Sequence, residues 1–434
     1  MTRSRRNVLK SAAAVAAGAA VLQAQTRGDG AGSGGGRKFR ALVQQGSSAA
    51  VQELTTLAIQ PTQVVVRTQA SAVCYTIVGG LLRGRTFPGF RPSIPNHSGM
   101  GVVEEIGSGV KRVQVGDRVI VPGTPQCGQC YECITGRADW CQFLSTRPAR
   151  PVAKTADGTE IYEGGALGGL SELMIVDEVY TCPVFTDVPS EQLCMLGDTL
   201  GTGLAAGHNL APIEPGSDVV ILGAGPVGMG AIQAARILGA AQVIVIEPIQ
   251  YRRDLALKIG ATMVLDPNVD THGLPEKIRE LCKGKTDRRY AGGRAWGDDL
   301  FAVPRGPDFT IEAVGGDAMP PKVESGPDPT GILPLEWAFD FTRAGGHITT
   351  LGFGQRGNVS FPAMNFANRG RTFHAGQQGG LHMLRDLPRY VKLIEKGTLD
   401  AKSMVTATYP LDRAMEAVQA VADRTVLGAV VTFT

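Results

Sequence analysis

Residues 219–247 constrain the fold of this 434-residue chain more than any other segment. They open with the run VVIL, whose apolar and mostly β-branched residues predict a buried strand, and a helical run follows. Between the two, Gly223, Gly225 and Gly228 form the pattern G-x-G-x-x-G. In such a unit the first glycine permits a tight turn, the second lets the backbone approach a pyrophosphate, and the third lets the helix pack closely on the strand. The segment therefore predicts a dinucleotide-binding domain, although a glycine-rich turn in an ordinary βαβ unit has the same pattern.

The residues around these glycines indicate which dinucleotide to expect. Pro226 and Val227 lie at the predicted start of the helix, where free N–H groups and the positive end of the dipole favour phosphate. Glu247 lies nineteen residues past Gly228 and ends the next predicted strand. A carboxylate there accepts hydrogen bonds from a ribose 2′-OH and repels a 2′-phosphate. We therefore expect NAD rather than NADP. Arg252 and Arg253 follow the acid, and their positive charge weakens this preference. Arg252 is expected to be a further cofactor-binding residue.

Composition and patterning limit the class of protein. The length predicts two or three domains, and 43% hydrophobic with 19% charged residues is typical of a soluble globular protein. The net charge of +3, with no basic block beyond the N-terminus, argues against nucleic acid as the main partner. Residues 40–94 predict β-strands and show no helical period, whereas strands and helices alternate after the glycine segment and predict a doubly wound parallel sheet.

The first 36 residues differ from the rest of the chain. The run SRRNVLK, with Arg5 and Arg6, resembles a twin-arginine export signal. The alanine-rich run after it is too short and too weakly apolar for a stable membrane span, and a glycine-rich linker follows. We expect the twin-arginine export machinery as a partner and a periplasmic or extracellular location, with the cytoplasm as the alternative. Because this route carries folded proteins to a place without a free NAD pool, an exported enzyme should hold its nucleotide tightly.

The most specific local pattern is a group of four cysteines, Cys127, Cys130, Cys133 and Cys141, spaced C-x2-C-x2-C-x7-C. Four thiolates at this spacing can close a tetrahedral shell around one zinc ion and leave no open position, as in a structural site. The eight cysteines of an exported protein could instead form disulfides. The first three cysteines are too close together for easy mutual pairing, so we expect a zinc site in a loop.

With the glycine pattern, this cysteine group resembles the zinc-dependent medium-chain dehydrogenases of the alcohol dehydrogenase superfamily, and the resemblance covers residues 39–434. It implies an α/β protein with a GroES-like, β-rich catalytic domain over residues 37–200 and 376–434. A Rossmann domain is expected over 201–375, and the signal and linker over 1–36. The resemblance also implies NAD, an alcohol or aldehyde as the small-molecule substrate, and a homodimer or homotetramer.

The same resemblance implies a second, catalytic zinc site, and thus two zinc ions per chain. Its first ligand in the family is a cysteine followed two residues later by a hydroxyl, which Cys74 and Thr76 match. The second is a histidine before a glycine-rich strand, matched by His97, and the third precedes a Thr-Gly pair, matched by Asp198 with Cys194 as its rival. Two anionic ligands and one imidazole would leave a position open for a substrate oxygen. Each residue alone also fits a structural role, such as a core cysteine or a helix cap.

Several positions depart from the family pattern. Ser98 stands where a glutamate is usual, Ile77 where many members have an aspartate, and Gly79 where some have a proton-relay histidine. An arginine that often contacts the pyrophosphate is replaced around residues 427–428. Loss of such supporting residues can lower metal affinity or activity 10–100-fold. A catalytically weak binding or sensory homologue is therefore an alternative to an active dehydrogenase.

Two stretches, residues 285–306 and 316–333, are insertions relative to short family members. The second occupies the place where formaldehyde dehydrogenase and dismutase members carry an insertion that closes over NAD. Residues 82–86 and Asp198 also resemble that subgroup. The chain could thus be a nicotinoprotein, in which bound NAD is recycled by a second substrate or an external acceptor. A decorated surface loop is the simpler interpretation of the insertion.

Overall fold

A computed structural model describes most of the chain. The described residues are 36–87, 89–146, 149–163, 167–282 and 306–433. The predicted export signal and almost all of the predicted insertion at 285–306 lie outside them. Across the described ranges, no helix is both long and apolar enough to cross a bilayer.

The first half of the chain, together with two strands near the C-terminus, forms a closed five-stranded barrel and a seven-stranded sheet. The barrel strands are, in spatial order, Lys38–Gln45, Ser48–Thr56, Pro151–Lys154, Glu160–Glu163 and Ser93–Ile94. The sheet contains Cys182–Pro183, Arg118–Val121, Gly99–Ile106, Gln63–Ala72, Ala429–Thr432 and Ala407–Pro410, with Leu173–Asp177 paired to the fourth of these. Strand Gln63–Ala72 lies at the centre and is buried along most of its length, which explains its apolar opening run. The last strand, Ala429–Thr432, pairs antiparallel with it, so the C-terminus returns to the β-rich unit.

The second half of the chain contains a six-stranded parallel sheet. Its strands are, in order, Met263–Leu265, Gln242–Ile246, Asp218–Leu222, Phe309–Glu312, His347–Thr350 and Thr372–His374. The adjacent interior strands Asp218–Leu222 and Gln242–Ile246 carry apolar runs because helices cover both faces of the sheet. A helix begins at Pro226 directly after Gly225, where proline is tolerated because the first N–H has no helical partner. The predicted fold class, a β-rich unit beside a doubly wound parallel sheet, is confirmed.

One helix contradicts the prediction that residues 40–94 lack helix. The α-helices of the described chain are Tyr75–Arg83, Tyr131–Ile134, Phe143–Thr146, Ser190–Leu196, Thr199–Ala205, Pro226–Ile237, Gln250–Ile259, Leu274–Leu281, Leu333–Phe341, Ala363–Asn368, Met383–Glu395 and Ala414–Asp423. The first of them contains two glycines and three consecutive β-branched residues, which weaken its intrinsic helical tendency. It forms because Val78 and Leu81 pack in one core cluster with Ala417 and Val418 of the last helix.

A close helix crossing joins the β-rich unit to the parallel sheet. Helix Thr199–Ala205 packs against helix Pro226–Ile237, and Gly203 and Gly230 meet at the crossing. A Cβ on Gly203 would lie 2.0 Å from the carbonyl oxygen of Val227, so a larger residue does not fit. The crossing therefore fixes the position of Asp198, which precedes helix Thr199–Ala205, relative to Pro226, where the second helix begins.

Candidate active site

Three predicted ligands meet at the edge of the β-rich unit. Cys74 follows the central strand, His97 lies between strands Ser93–Ile94 and Gly99–Ile106, and Asp198 immediately precedes helix Thr199–Ala205. Their ligand atoms all lie within 4.8 Å of one another, and His97 Nε2 is 3.2 Å from Asp198 Oδ2. We call Cys74, His97 and Asp198 the ligand trio. The rival Cys194 is not part of it, because its buried thiol donates to the carbonyl of Glu191 at 3.2 Å.

Asn96 sets the backbone that presents His97. Its φ of 74° places it in the left-handed region, which asparagine enters more readily than most residues. The Asn96 side-chain amide donates to Ser71 Oγ at 2.7 Å and to the Ala72 carbonyl at 2.9 Å. These bonds tie the histidine loop to the end of the strand that leads to Cys74. The sequence analysis missed Asn96, although an asparagine directly before a predicted ligand was a usable signal.

The electrostatics of the trio suit a cation. Burial lowers the pKa of His97, but Asp198 and Cys74 raise it by more than burial lowers it. The pKa of His97 is therefore well above the ordinary histidine value. Burial raises the pKa of Asp198, but the neighbouring His97 outweighs this effect and brings the pKa of Asp198 below its ordinary value. The trio thus stabilises positive charge among its atoms. Sulfur, imidazole nitrogen and carboxylate oxygen are all zinc ligands, so the donor set fits that metal.

Thr76 lies beside the trio in the cleft. Its Oγ1 donates to Cys74 Sγ at 3.2 Å, and its side chain lines the same cleft as Cys74. Ser98, which replaces the usual glutamate, is fully buried, and its hydroxyl has no hydrogen-bond partner within the described residues. Ile77 and Gly79 follow Thr76 in helix Tyr75–Arg83 and offer no side chain that accepts a proton.

Residues 127–141 contain the four cysteines predicted to bind zinc, and we call this segment the four-cysteine lobe. These cysteines form a second ligand group. The sulfur atoms of Cys127, Cys130, Cys133 and Cys141 lie within 4.8 Å of one another, with Cys127–Cys133 at 4.0 Å and Cys130–Cys141 at 3.9 Å. A tetrahedral zinc ion with Zn–S bonds of about 2.3 Å requires sulfur separations of about 3.8 Å. All eight cysteines of the chain are unpaired, so the disulfide alternative is wrong.

Ionisation within this lobe is uneven. Burial raises the pKa of Cys130, but N–H donors such as that of Gln142 outweigh it and lower the pKa to about 6. Burial and the neighbouring thiols raise the pKa of Cys133 to about 12. Four thiolates therefore do not coexist without a cation, and a structural zinc ion fits the lobe.

One cleft connects Cys74, a member of the trio, to the glycine loop. It encloses about 1380 Å³ including its open mouth, and Cys74, Thr76, Gly223 and Gly225 contribute to its wall. Gly223 has a φ of 88°, and a Cβ on Gly228 would lie 1.9 Å from the Gly223 carbonyl oxygen. Gly225 borders open space instead, since a Cβ there would meet only Arg252, at 3.9 Å. The loop thus has room for a phosphate at its middle glycine.

The acid predicted to bind a ribose lies in this cleft. Glu247 is buried and lines the wall beside Pro226 and Val227. Its two carboxylate oxygens accept N–H groups from Ala224 at 2.6 Å and Ile249 at 2.9 Å. A carboxylate has about four acceptor sites, so these bonds leave capacity for a hydroxyl.

The arginines near the cleft differ in whether other protein groups already hold their side chains. Arg252 lines the wall, whereas Arg253 donates to the Glu247 carbonyl at 2.7 Å and pairs with Asp266 at 3.3 Å. Arg424 also lines the wall, held by Asp317 through an ion pair. Arg424 was not predicted from the sequence, and it lies three residues before the segment 427–428.

Residues 316–332, which we call the strap, run beside the cleft, and Asp317 is one of the strap residues in its wall. Tyr75 Oη accepts the N–H groups of Ala318 at 3.1 Å and Met319 at 3.3 Å, which joins the strap to the residue after Cys74. Asn268, beside the parallel sheet, donates to the Ser325 carbonyl at 3.0 Å. Three consecutive strap residues contribute to the wall; they are Gly326, Pro327 and Asp328. The interpretation as a mere surface decoration does not fit these contacts.

The fold, the ligand trio, the four-cysteine lobe and the glycine loop together define a zinc-binding dehydrogenase. Residues 60–190 match the family model of the alcohol dehydrogenase GroES-like domain, and residues 226–325 match that of the zinc-binding dehydrogenases. The chain belongs to the zinc-dependent medium-chain dehydrogenase superfamily. It is an oxidoreductase whose cofactors are zinc and a nicotinamide dinucleotide.

Named dehydrogenases are among the proteins to which this chain is similar. An S-(hydroxymethyl)glutathione dehydrogenase of Haemophilus influenzae is 28% identical over 362 residues, which cover 82% of this chain and 86% of the relative. Alcohol dehydrogenase 6 of Rattus norvegicus is 29% identical over 255 residues, or 58% of this chain and 68% of the relative. Benzyl alcohol dehydrogenase from Acinetobacter calcoaceticus superposes with a TM-score of 0.74 at 24% identity, covering 92% of this chain and 100% of that one. The last comparison concerns the fold alone.

Proposed function

We propose that this enzyme transfers a hydride between an alcohol, or a hydrated aldehyde, and NAD. The observation that carries the proposal is the single cleft that joins Cys74 and Thr76 to the glycine loop. Hydride transfer requires the reacting carbon and the nicotinamide to meet, and one cleft with a metal site at one end and a phosphate loop at the other permits this. The alcohol and S-(hydroxymethyl)glutathione dehydrogenases among the relatives support a hydroxyl-bearing substrate.

In this proposal Cys74, His97 and Asp198 hold the catalytic zinc ion. When bound, zinc supplies a Lewis acid for the substrate oxygen, and the dinucleotide supplies the hydride acceptor. Thr76 relays the proton of the substrate hydroxyl, because its own hydroxyl lies next to Cys74 in the cleft. Its Oγ1 takes up the substrate proton and gives its own proton to water at the open mouth of the cleft, since Gly79 offers no relay group.

The choice of NAD over NADP rests on the acid at the cleft wall. Glu247 lines the cleft, and its negative charge would repel a 2′-phosphate. Arg253, which could have offset this charge, is occupied by backbone carbonyls and Asp266. Arg252 lies beside Gly225 and would contact the pyrophosphate.

A second candidate is a nicotinoprotein that retains its NAD through the catalytic cycle. The strap favours it, because its contacts with Tyr75 and Asn268 hold it along the cleft that the nucleotide would occupy. Retention also agrees with the export that we propose from the twin-arginine run, since a retained nucleotide needs no outside pool.

The decisive experiment uses the full chain purified without added cofactor. Zinc per chain is measured, and any nucleotide released on denaturation is identified by absorbance and mass. Two zinc ions with turnover of an alcohol on added NAD support the dehydrogenase, and stoichiometric bound NAD supports the nicotinoprotein. Cys74→Ser should lose one zinc ion and turnover, whereas Cys282→Ser, a buried unpaired thiol elsewhere, should lose neither. A wild-type protein with one zinc ion would overturn the trio as a metal site.

A further inference from the structure

A strained turn approaches the ligand trio from the C-terminal part of the chain. Within Gln377–Gly380, Gln378 has a φ of 45°, an uncommon backbone for a residue other than glycine. The next residue, Gly379, lies so close to helix Thr199–Ala205 that a Cβ on it would be 2.1 Å from the Thr202 carbonyl oxygen. Asn209 Nδ2 donates to the Gly380 carbonyl at 2.8 Å and holds the other end of the turn. Strained backbone of this kind persists where its surroundings determine it, and it clusters at functional sites.

Both the nitrogen and the oxygen of the Gln378 side-chain amide form hydrogen bonds. Its Nε2 donates to the Gly197 carbonyl at 2.9 Å and reaches Asp198 Oδ1 at 3.5 Å. Its Oε1 accepts the Thr124 N–H at 2.9 Å. A flipped amide would present oxygen to two acceptors and nitrogen to a donor, so these partners fix its orientation.

The two oxygens of Asp198 therefore have different partners. Oδ2 lies 3.2 Å from His97 Nε2 within the trio, and Oδ1 faces the Gln378 amide. A carboxylate held by a donor on one oxygen cannot rotate freely about its terminal bond. Hydrogen-bonded partners of this kind orient metal ligands in proteins.

We propose that Gln378 is a positioning residue for the catalytic metal site: it orients Asp198 toward Cys74 and His97 and fastens residues 197–198 to Thr124. The proposal rests on the proposed role of the trio as a zinc site. In the sequence, residues 377–380 resemble the family's return from the nucleotide domain, but that resemblance gives no role at the metal site to Gln378, which follows Asp198 by 180 residues.

Gln378→Leu and Gln378→Gly separate positioning from a purely structural role. Glycine adopts a φ of 45° without strain, so a role limited to the backbone predicts a wild-type or more stable protein. Positioning instead predicts that both variants release zinc from the trio to a chromogenic chelator 10–100-fold more readily. With cobalt(II) in the trio, both variants should show a changed visible spectrum, while the four-cysteine lobe keeps its metal. Gln377→Leu is the control, because this neighbouring glutamine is exposed.

The outcomes are distinguishable from failure of the proposed function. Two zinc ions in the wild type, loss of one in Cys74→Ser, and unaltered zinc release and cobalt spectrum in Gln378→Leu and Gln378→Gly would overturn the positioning role alone. A wild type with one zinc ion would overturn the proposed function and the positioning role together. Thermal unfolding of each variant shows that the chain is folded when its metal is measured.

Discussion

At the scale of single residues, the three glycines of the dinucleotide loop have different tasks. Gly225 has a φ of −68°, which alanine tolerates, and borders open space, whereas a Cβ on Gly228 would contact the Gly223 carbonyl oxygen at 1.9 Å. We expect Gly225→Ala to lower NAD affinity by about tenfold or more, the equivalent of about 1.4 kcal/mol, because its methyl group takes the space of a phosphate. Its unfolding temperature should not change.

Gly228→Ala is the matched control, since overpacking there should cost about 1–3 kcal/mol of the free energy of unfolding. Nucleotide titration and thermal unfolding distinguish the two variants. Wild-type NAD affinity in Gly225→Ala would show that the loop does not bind a pyrophosphate.

His97 makes zinc uptake by the trio depend on pH. Burial lowers the pKa of His97, but Asp198 and Cys74 raise it to well above the ordinary value. Below that raised pKa the ring is an imidazolium that repels zinc, and above it the neutral ring can donate to the metal. We therefore expect the zinc affinity of the trio to rise with pH and zinc binding to release protons. Calorimetric titration of metal-depleted protein in two buffers of different ionisation enthalpy measures that release.

A His97→Asn variant serves as the comparison for this titration. It should bind zinc more weakly and with a shallower pH dependence, since the imidazole proton is gone. Equal pH dependence in both proteins would mean that His97 does not titrate on metal binding.

Residues that bind cofactors and residues that position them differ in how far the sequence predicts them. The glycines and Glu247 have fixed spacings within one strand–helix–strand unit, and the lobe cysteines have fixed spacings within one loop. Gln378 and Arg424 have no such pattern, since their partners Asp198 and Asp317 lie 180 and 107 residues away in the chain. Only the folded chain shows such contacts.

At the scale of elements, the strap controls access to the cleft in the nicotinoprotein candidate. Its Asp317 pairs with Arg424, and both side chains are 16% exposed, so this ion pair is shielded from solvent. We expect Asp317→Asn to speed NAD release about tenfold, the scale of one hydrogen bond to a charged group. Stopped-flow displacement of bound nucleotide measures the rate.

A second ion pair of the strap provides the control. Lys322 pairs with Asp423 at 2.8 Å, but the lysine side chain is 68% exposed, and exposed pairs contribute little. Lys322→Gln should therefore change NAD release less than Asp317→Asn. Identical release from wild type and both variants would contradict a retaining role of the strap.

Elements that carry their own pattern were predicted, and an element that depends on distant packing was not. The strands Asp218–Leu222 and Gln242–Ile246 have apolar runs because both of their faces are covered, so the parallel sheet is visible in the sequence. Helix Tyr75–Arg83 lacks a strong pattern, and its apolar face is completed by helix Ala414–Asp423 from the far end of the chain. Helical stability in proteins comes mostly from such packing.

At the scale of the whole molecule, the proposed site depends on contacts between remote parts of the chain. The trio comes from three separate segments, and the crossing of Gly203 with Gly230 sets Asp198 relative to the phosphate helix. The turn at Gln378 and the strap add contacts from two further segments. Because so many segments converge, the metal site exists only in the folded protein, which can therefore bind its cofactors only after it has folded.

That requirement makes the proposed export testable. If the run SRRNVLK directs folded protein through the twin-arginine route, the exported enzyme carries zinc and NAD that it acquired before export. We expect the Arg5→Lys, Arg6→Lys double variant to remain in the cytoplasm with the same metal and nucleotide content. Arg3→Lys, outside the arginine pair, should be exported normally. Fractionation of cells, followed by zinc and nucleotide analysis of each fraction, measures both location and content. Equal distribution of all three proteins would refute the export signal, and exported wild type without NAD would refute retention, since no free pool outside the cytoplasm could replace it.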